Sequence, residues 1–184
     1  LQAMGVDEET VREMNKDVNR LSTIASRFSK IGSRPQMDVE NLNPVIGHAA
    51  SYMGTRISSR IELSVRLCDE ELPVRLSAPL FEWVMENLMK NAVDAMEGSG
   101  KITIETLREG KRAVINVTDT GRGIPRKNHK TVFNPGYTTK KRGWGLGLTL
   151  AKRIIEQYHM GKIFVSWSEP GEGTKFTITL PLAE

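Results

Sequence analysis

Three glycine clusters follow one another along the chain: Asp119-Thr120-Gly121-Arg122-Gly123-Ile124-Pro125, then Gly143-Trp144-Gly145-Leu146-Gly147-Leu148, then Gly171-Glu172-Gly173-Thr174. Glycine admits positive φ and lets a backbone pass close to another group with no Cβ between them. One such cluster marks any tight turn, but three in order behind a single helix read as a pocket for a nucleotide. Asp119 ends an alternating run and meets Gly121 and Gly123, so its carboxylate can project where backbone passes close to a ligand and accept from an exocyclic amine. The second cluster runs directly into a helical pattern. Backbone amides at a helix start, with the helix dipole behind them, form an anion site. No Gly-Lys-Ser or Gly-Lys-Thr follows a glycine-rich turn, which excludes a Walker loop.

Upstream, Leu80, Val84, Leu88 and Ala92 recur every four positions, the spacing of a buried helical stripe. Asn87, Asn91 and Asp94 follow at i, i+4 and i+7, placing two amides and a carboxylate on one face beside that stripe. Asparagine is a poor residue for the middle of a helix, so two on one face invite a functional explanation, with an exposed polar face as the competing one. The neutral oxygen of Asn91 suits magnesium, which takes hard oxygen ligands while keeping waters and touching phosphates.

This constellation resembles the histidine-kinase branch of the superfamily that also holds gyrase, the heat-shock chaperone ATPases and the MutL repair proteins, over roughly Pro79 to Pro181. The resemblance makes the Asn-bearing helix the N box and Asp119 to Gly123 the first glycine box. Val132 to Lys140 becomes the phenylalanine box, and Gly143 to Gly147 the second glycine box. It implies a two-layer α/β sandwich of the Bergerat type, with a mixed sheet packed on three helices and a long helix in front. It also implies ATP and Mg2+ as cofactors. Asp119 then takes the adenine N6 proton pair and favours adenine over guanine, which has a carbonyl there. Asn91 holds the metal, Asn87 lines the cleft near the phosphates, and Asp94 reaches toward the base through water. Gly121, Gly123 and Ile124 border the nucleotide. Thr138, Thr139 and Lys140 belong to a mobile lid, Lys140 touching phosphate. Gly143, Gly145, Leu146, Gly147 and Leu148 contact the triphosphate, and Thr174 helps hold the adenine edge, although a plain hairpin turn explains its glycines equally well.

The same resemblance implies transfer of the γ-phosphate to a histidine and onward to an aspartate of a response regulator, in a protein that is a homodimer at full length. None of the three histidines matches the expected acceptor pattern of a histidine, an acidic residue and a later proline: His48, His129 and His159 read as structural or exposed. The acceptor is expected on an upstream helix. Two alternatives stand beside this reading. A hydrolytic member of the superfamily needs a general base one turn before the magnesium asparagine; Asn87 occupies that place, and Glu86 lies about 100° around the helix. A non-catalytic nucleotide-binding interaction module is the other, against which the intact glycine boxes argue.

The elements that position these residues follow from periodicity. Val11, Met14, Val18, Leu21, Ile24, Ala25, Phe28 and Ile31 describe an amphipathic helix from Asp7 to Ile31, closed by Gly32-Ser33-Arg34-Pro35 and resembling the second helix of a dimerisation hairpin. The expected division is therefore 1–34 for that partial hairpin and 35–184 for the catalytic domain. A short strand near Met37 precedes a helix from about Asn41 to Ser58. Strands are expected at Ile61 to Leu67, Val74 to Leu76, Ile102 to Leu107, Ala113 to Asp119, Ile163 to Trp167 and Lys175 to Leu180, with a third core helix from Leu146 to Tyr158.

At 39% apolar and 26% charged the composition is that of a folded domain rather than a disordered chain. Cys68 is the single cysteine, so no disulfide or multi-cysteine zinc site can form within the chain, and a reducing cytosol fits. The net charge of +4 invites nucleic acid, but no aromatic-interleaved basic patch accompanies it. Arg126, Lys127, Lys130, Lys140, Lys141 and Arg142 instead flank the phosphate site. No apolar run approaches the ~20 residues that cross a bilayer. A cytoplasmic domain is expected, and a chain opening on Leu1 leaves room for membrane segments upstream.

Overall fold

Alternating and helical periodicities resolve into seven strands and three helices in the computed structural model, which describes residues 35–139 and 145–183. The helix expected from Asp7 to Ile31 lies outside the described residues, as do Lys140 and Gly143. Strand β1 (Asp38–Asn41) leads into helix α1 (Leu42–Gly54). Asn41 caps that helix: its Oδ1 accepts from the Asn43 N–H and the Leu72 N–H, both at 3.2 Å. The helix stops four residues short of the expected Ser58. Beyond Gly54 the amides of Arg56 and Ile57 both fold back onto the Met53 carbonyl, and Ile57 is left half-buried rather than in the core.

Strands β2 (Ile61–Arg66) and β3 (Pro73–Leu76) follow, then helix α2 (Ala78–Ala95), with Pro79 in its first turn. Strands β4 (Gly100–Glu109) and β5 (Arg112–Asp119) form the expected hairpin, and two short 3-10 turns occupy Arg126–Asn128 and Thr131–Phe133. Helix α3 (Gly147–Arg153) continues into a π turn, Ile154–Tyr158, before β6 (Lys162–Glu169) and β7 (Gly173–Pro181).

Five strands make one mixed sheet in the order β2-β4-β5-β7-β6, with β2 and β4 parallel and every other pair antiparallel. β1 and β3 pair separately. The inner face of the sheet contributes Ile102, Ile104, Ile115, Val117, Phe176 and Ile178; the helices contribute Leu42, Ile46, Phe81, Leu88 and Ile154, all buried. The α/β sandwich expected from the sequence is therefore present in the described residues. The stripe on α2 is broader than the i+4 run. Phe81, Met85 and Met89 join Val84, Leu88 and Ala92 in the core, whereas Leu80 is only half-buried.

The third core helix does not stay α-helical to Tyr158. Its last turn closes through an i to i+5 bond from the His159 N–H to the Ile154 carbonyl, 3.3 Å. This carries the His159 ring inward, where it is 2% exposed and meets Phe81 edge-on at 5.9 Å between ring centres. Because the Ser77 N–H can only donate, His159 Nε2 accepts it at 3.2 Å, and Nδ1 carries the proton given to the Ile154 carbonyl at 2.9 Å. The imidazole is thus neutral, and burial holds its pKa below the ordinary 6.5.

A base whose folded pKa is lowered loses stabilisation as pH drops below its unfolded value. His159→Ala is expected to cost roughly 1–3 kcal/mol in urea unfolding near pH 7.5, since the Ser77 N–H loses its acceptor while the Ile154 carbonyl keeps the His159 N–H. The difference between wild type and variant should shrink as pH falls below 6.5.

Candidate nucleotide-binding site

Asp119 is the last residue of β5, on the inner face, with Thr174 directly across on β7. It is 4% exposed, and its carboxylate accepts from the Gly121 N–H at 2.8 Å and from the backbone of Thr174. Burial outweighs those bonds and pushes the carboxyl from 3.8 to about 6. A buried acceptor of this kind is suited to a ligand that brings N–H donors.

The first and third glycine clusters lock together around it. A Cβ on Gly173 would collide with the Asp119 carbonyl oxygen, and one on Gly123 with the Glu169 carbonyl oxygen; both glycines have positive φ, +134° and +72°. Gly171 N–H donates to the Arg122 carbonyl at 2.8 Å. Gly121 rests on the end of α2, where an added Cβ would sit 2.7 Å from Ala95. The third cluster is therefore both a hairpin turn and half of the site.

One residue that periodicity did not single out holds these turns. Ser168 is 4% exposed; its Oγ accepts from the Ile124 N–H at 2.7 Å, donates to the Gly173 carbonyl at 2.8 Å and meets Thr174 Oγ1 at 2.9 Å. A bulge explains both its role and its concealment. Val165 pairs with Phe176, but Trp167 rather than Ser166 pairs with Lys175, so Trp167 turns outward and Ser168 inward, against strict alternation.

On α2, Asn87 and Asn91 are half-buried and Asp94 is exposed. Asn87 Nδ2 is buried with no hydrogen-bond partner among the described residues. Its amide fills the space where a Cβ of Gly147 would stand, 3.0 Å from Nδ2 and closer still to Oδ1, so the second glycine cluster packs directly on the N-box face. Glu86, the carboxylate that hydrolysis would need, is turned away to Lys90 Nζ at 3.0 Å.

The phenylalanine box reaches this region through backbone and hydroxyl contacts. Gly136 N–H donates to the Gly145 carbonyl at 3.2 Å, Thr149 Oγ1 to the Phe133 carbonyl at 2.9 Å, and Arg122 Nη2 to Thr139 Oγ1 at 2.7 Å. Gly145 has φ +63° and lies against Gly136 and Tyr137. Thr138 and Thr139 are exposed; Ile124, Leu146 and Leu148 are half-buried. Asp119, Gly121, Gly123, Ile124 and Thr174 thus form one cluster, and Asn87 forms a second with Gly147. Of the basic residues expected near phosphate, Arg126, Lys127 and Lys130 are exposed; Lys140, Lys141 and Arg142 lie outside the described residues.

Residues 77–184 match the family described as histidine kinase-, DNA gyrase B-, and HSP90-like ATPase. Across 98% of its length the chain is 35% identical to the sensor histidine kinase ZraS of Salmonella typhi, and across 92% it is 31% identical to sporulation kinase D of Bacillus subtilis. It spans only 39% and 34% of those relatives. The catalytic domain of the histidine kinase ThkA is similar in structure, with a TM-score of 0.72 and 29% identity, covering 80% of this chain and 96% of that domain. ThkA in complex with the response regulator TrrA gives a TM-score of 0.75 at 25% identity, covering 97% of this chain and 53% of that one.

Two measurements test the geometry of the site. Gly171 has φ +83° with open space around it, so Gly171→Ala should cost only about 1–2 kcal/mol of backbone strain. Gly123→Ala adds a backbone collision and should destabilise clearly more in parallel denaturant titrations. Asp119→Asn removes the buried charge and keeps an oxygen for the Gly121 N–H but not a second acceptor for Thr174, so it should raise stability near pH 7.5 by less than the roughly 3 kcal/mol that a rise from 3.8 to about 6 represents. The sign follows from a raised folded pKa, whose contribution is fully present below 3.8 and lost as pH rises through about 6. The gain from the substitution should therefore fade as pH drops from 6 toward 3.8.

Proposed function

This chain belongs to the histidine kinase-, DNA gyrase B-, and HSP90-like ATPase family, and from that premise we propose that it is the ATP-holding catalytic domain of a two-component sensor histidine kinase, positioning Mg-ATP for transfer to a histidine outside these residues. The observation that carries the reading is the presence in one fold of a buried carboxylate at Asp119, a base-type acceptor, and of a buried Asn87 Nδ2 with no partner among the described residues, a phosphate-type donor. The curated relatives are named as sensor and sporulation kinases, which supports the phosphotransfer direction.

In this reading ionised Asp119 receives the adenine N6 protons, with Gly121, Gly123, Ile124 and Thr174 forming the surrounding wall. Asn87 Nδ2 donates to phosphate, and the amides of Gly145 to Leu148 at the start of α3 complete the anion site. The family resemblance adds Lys140 and Gly143, which lie outside the described residues, as phosphate contacts. Asn91 offers one neutral oxygen to Mg2+, which supplies charge neutralisation between the phosphates and takes its remaining ligands from phosphate and water. The donor set suits that use, since a neutral amide oxygen leaves phosphate and water oxygens to complete the shell of a hard cation.

Hydrolysis is disfavoured because Asn87 holds the place one turn before Asn91, and Glu86 beside it is paired with Lys90 Nζ at 3.0 Å. His48 is exposed and far from an acidic-proline context, His129 is tied to the Ile124 carbonyl at 3.0 Å, and His159 is buried. The family resemblance puts the acceptor on a helix upstream of these residues, in a parent that would be a homodimer. That parent would pass the phosphoryl group to a response regulator, as the complex of ThkA with TrrA suggests. No helix among the described residues is long and apolar enough to cross a membrane.

With γ-labelled ATP and magnesium, the 184-residue chain should bind nucleotide yet acquire no acid-labile label, whereas a longer chain carrying the upstream helix should. Label on the short chain would overturn the assignment of the acceptor. Affinity for ATP should decline as pH falls through about 6, where Asp119 takes up its proton, and Asn91→Ala should remove most of the magnesium dependence in calorimetry.

A further inference from the structure

Hydrogen-bond bookkeeping at Ser168 determines the direction of the bond it shares with Thr174. A serine hydroxyl has one proton and two lone pairs. The Gly173 carbonyl can only accept, so the Ser168 proton goes there, over 2.8 Å. The Ile124 N–H can only donate, so it occupies one lone pair, over 2.7 Å. The remaining contact, 2.9 Å to Thr174 Oγ1, falls on the second lone pair, and Thr174 must be its donor. Ser168 and Thr174 are buried in the seam between the first and third glycine clusters, so the bond between them lies away from solvent, while Ile124 is half-buried at its margin.

Thr174 consequently faces the site with lone pairs only. Directly across the β5–β7 pair, on the same inner face, stands Asp119, which in its ionised form is also an acceptor without a proton. The two side chains that flank this end of the site are then acceptors together. A ligand edge that brings two N–H groups satisfies them; an edge that brings a carbonyl oxygen leaves acceptors facing an acceptor, with no hydroxyl able to turn toward it.

We propose that Ser168 is a positioning residue that sets the polarity of Thr174 and thereby gives the site its preference for a purine with an amino group, rather than a carbonyl, at C6. The proposal rests on the reading above, in which the base lies against Asp119. Without Ser168 the Thr174 hydroxyl is free to rotate and donate, and a 6-oxo purine gains a partner it lacks in the wild type.

The test uses Mg-ATP and Mg-inosine triphosphate, which place an amino group and a carbonyl at C6, titrated calorimetrically into the wild-type chain, Ser168→Ala and Ser168→Cys. The wild type should prefer ATP, and Ser168→Ala should lower that preference roughly tenfold, the scale of one reversed hydrogen bond. Ser168→Cys, close in size and weaker as a hydrogen-bond partner, should lie between them, and it provides the comparison if the alanine variant does not fold. A proportional loss of both affinities, with the ratio unchanged, would show a merely structural serine and overturn the proposal. A wild type that binds neither nucleotide, or both equally, would instead overturn the placement of the base at Asp119.

Discussion

Two backbones meet at the centre of this fold with no room for a side chain between them. The turn after β5 and the turn between β6 and β7 press Gly123 against the Glu169 carbonyl and Gly173 against the Asp119 carbonyl. The cluster around Asp119 depends on that approach. It buries the Asp119 carboxylate, brings the Ile124 amide within reach of Ser168, and closes the Arg122 carbonyl onto Gly171. A methyl group at either glycine would force the turns apart, so the constraint is steric before it is chemical.

The arrangement is held against its own preferences. A carboxyl driven up to about 6 by burial and an asparagine amide with no hydrogen-bond partner among the described residues each stand above their solvated state. The surrounding core over-determines them: Ile102, Ile104, Ile115, Phe81, Leu88 and Met89 are all fully buried around β4, β5 and α2. The same rigid packing explains why His159 can be kept neutral at a helix-to-helix junction, bonded to the start of α2 on one side and to the π turn on the other. Strain and support thus sit on the same few elements.

How much of this was legible in the sequence varies with range. The order of the glycine clusters, the polar face of α2 and the alternation of β4 and β5 depend on neighbours within a few residues, and these stand in the structure much as periodicity describes them. The third cluster was ambiguous because a hairpin turn and half of a site require the same glycines; only the docking of Gly173 on Asp119, fifty-odd positions away, separates the two. Ser168 was hidden by the bulge at Val165/Trp167, since strict alternation turns it toward solvent. The end of the third helix was misjudged for a related reason. A π turn has no signature in the spacing of Leu150 and Ile154, and it arises from where His159 finds its partners.

One feature of the sheet bears on when the site comes into being. β7 is the last strand of the described chain, yet it lies between β5 and β6 rather than at an edge, and it carries Thr174 opposite Asp119. During synthesis β5 emerges with its carboxylate lacking that neighbour, and the seam is shut only after about fifty further residues have left the ribosome. The gap between the two halves is a long loop closure, slow to form and early to open. Nucleotide held in this seam would therefore act as a clasp on the C-terminal hairpin, slowing its escape from the sheet and shielding the newest part of the chain from proteolysis.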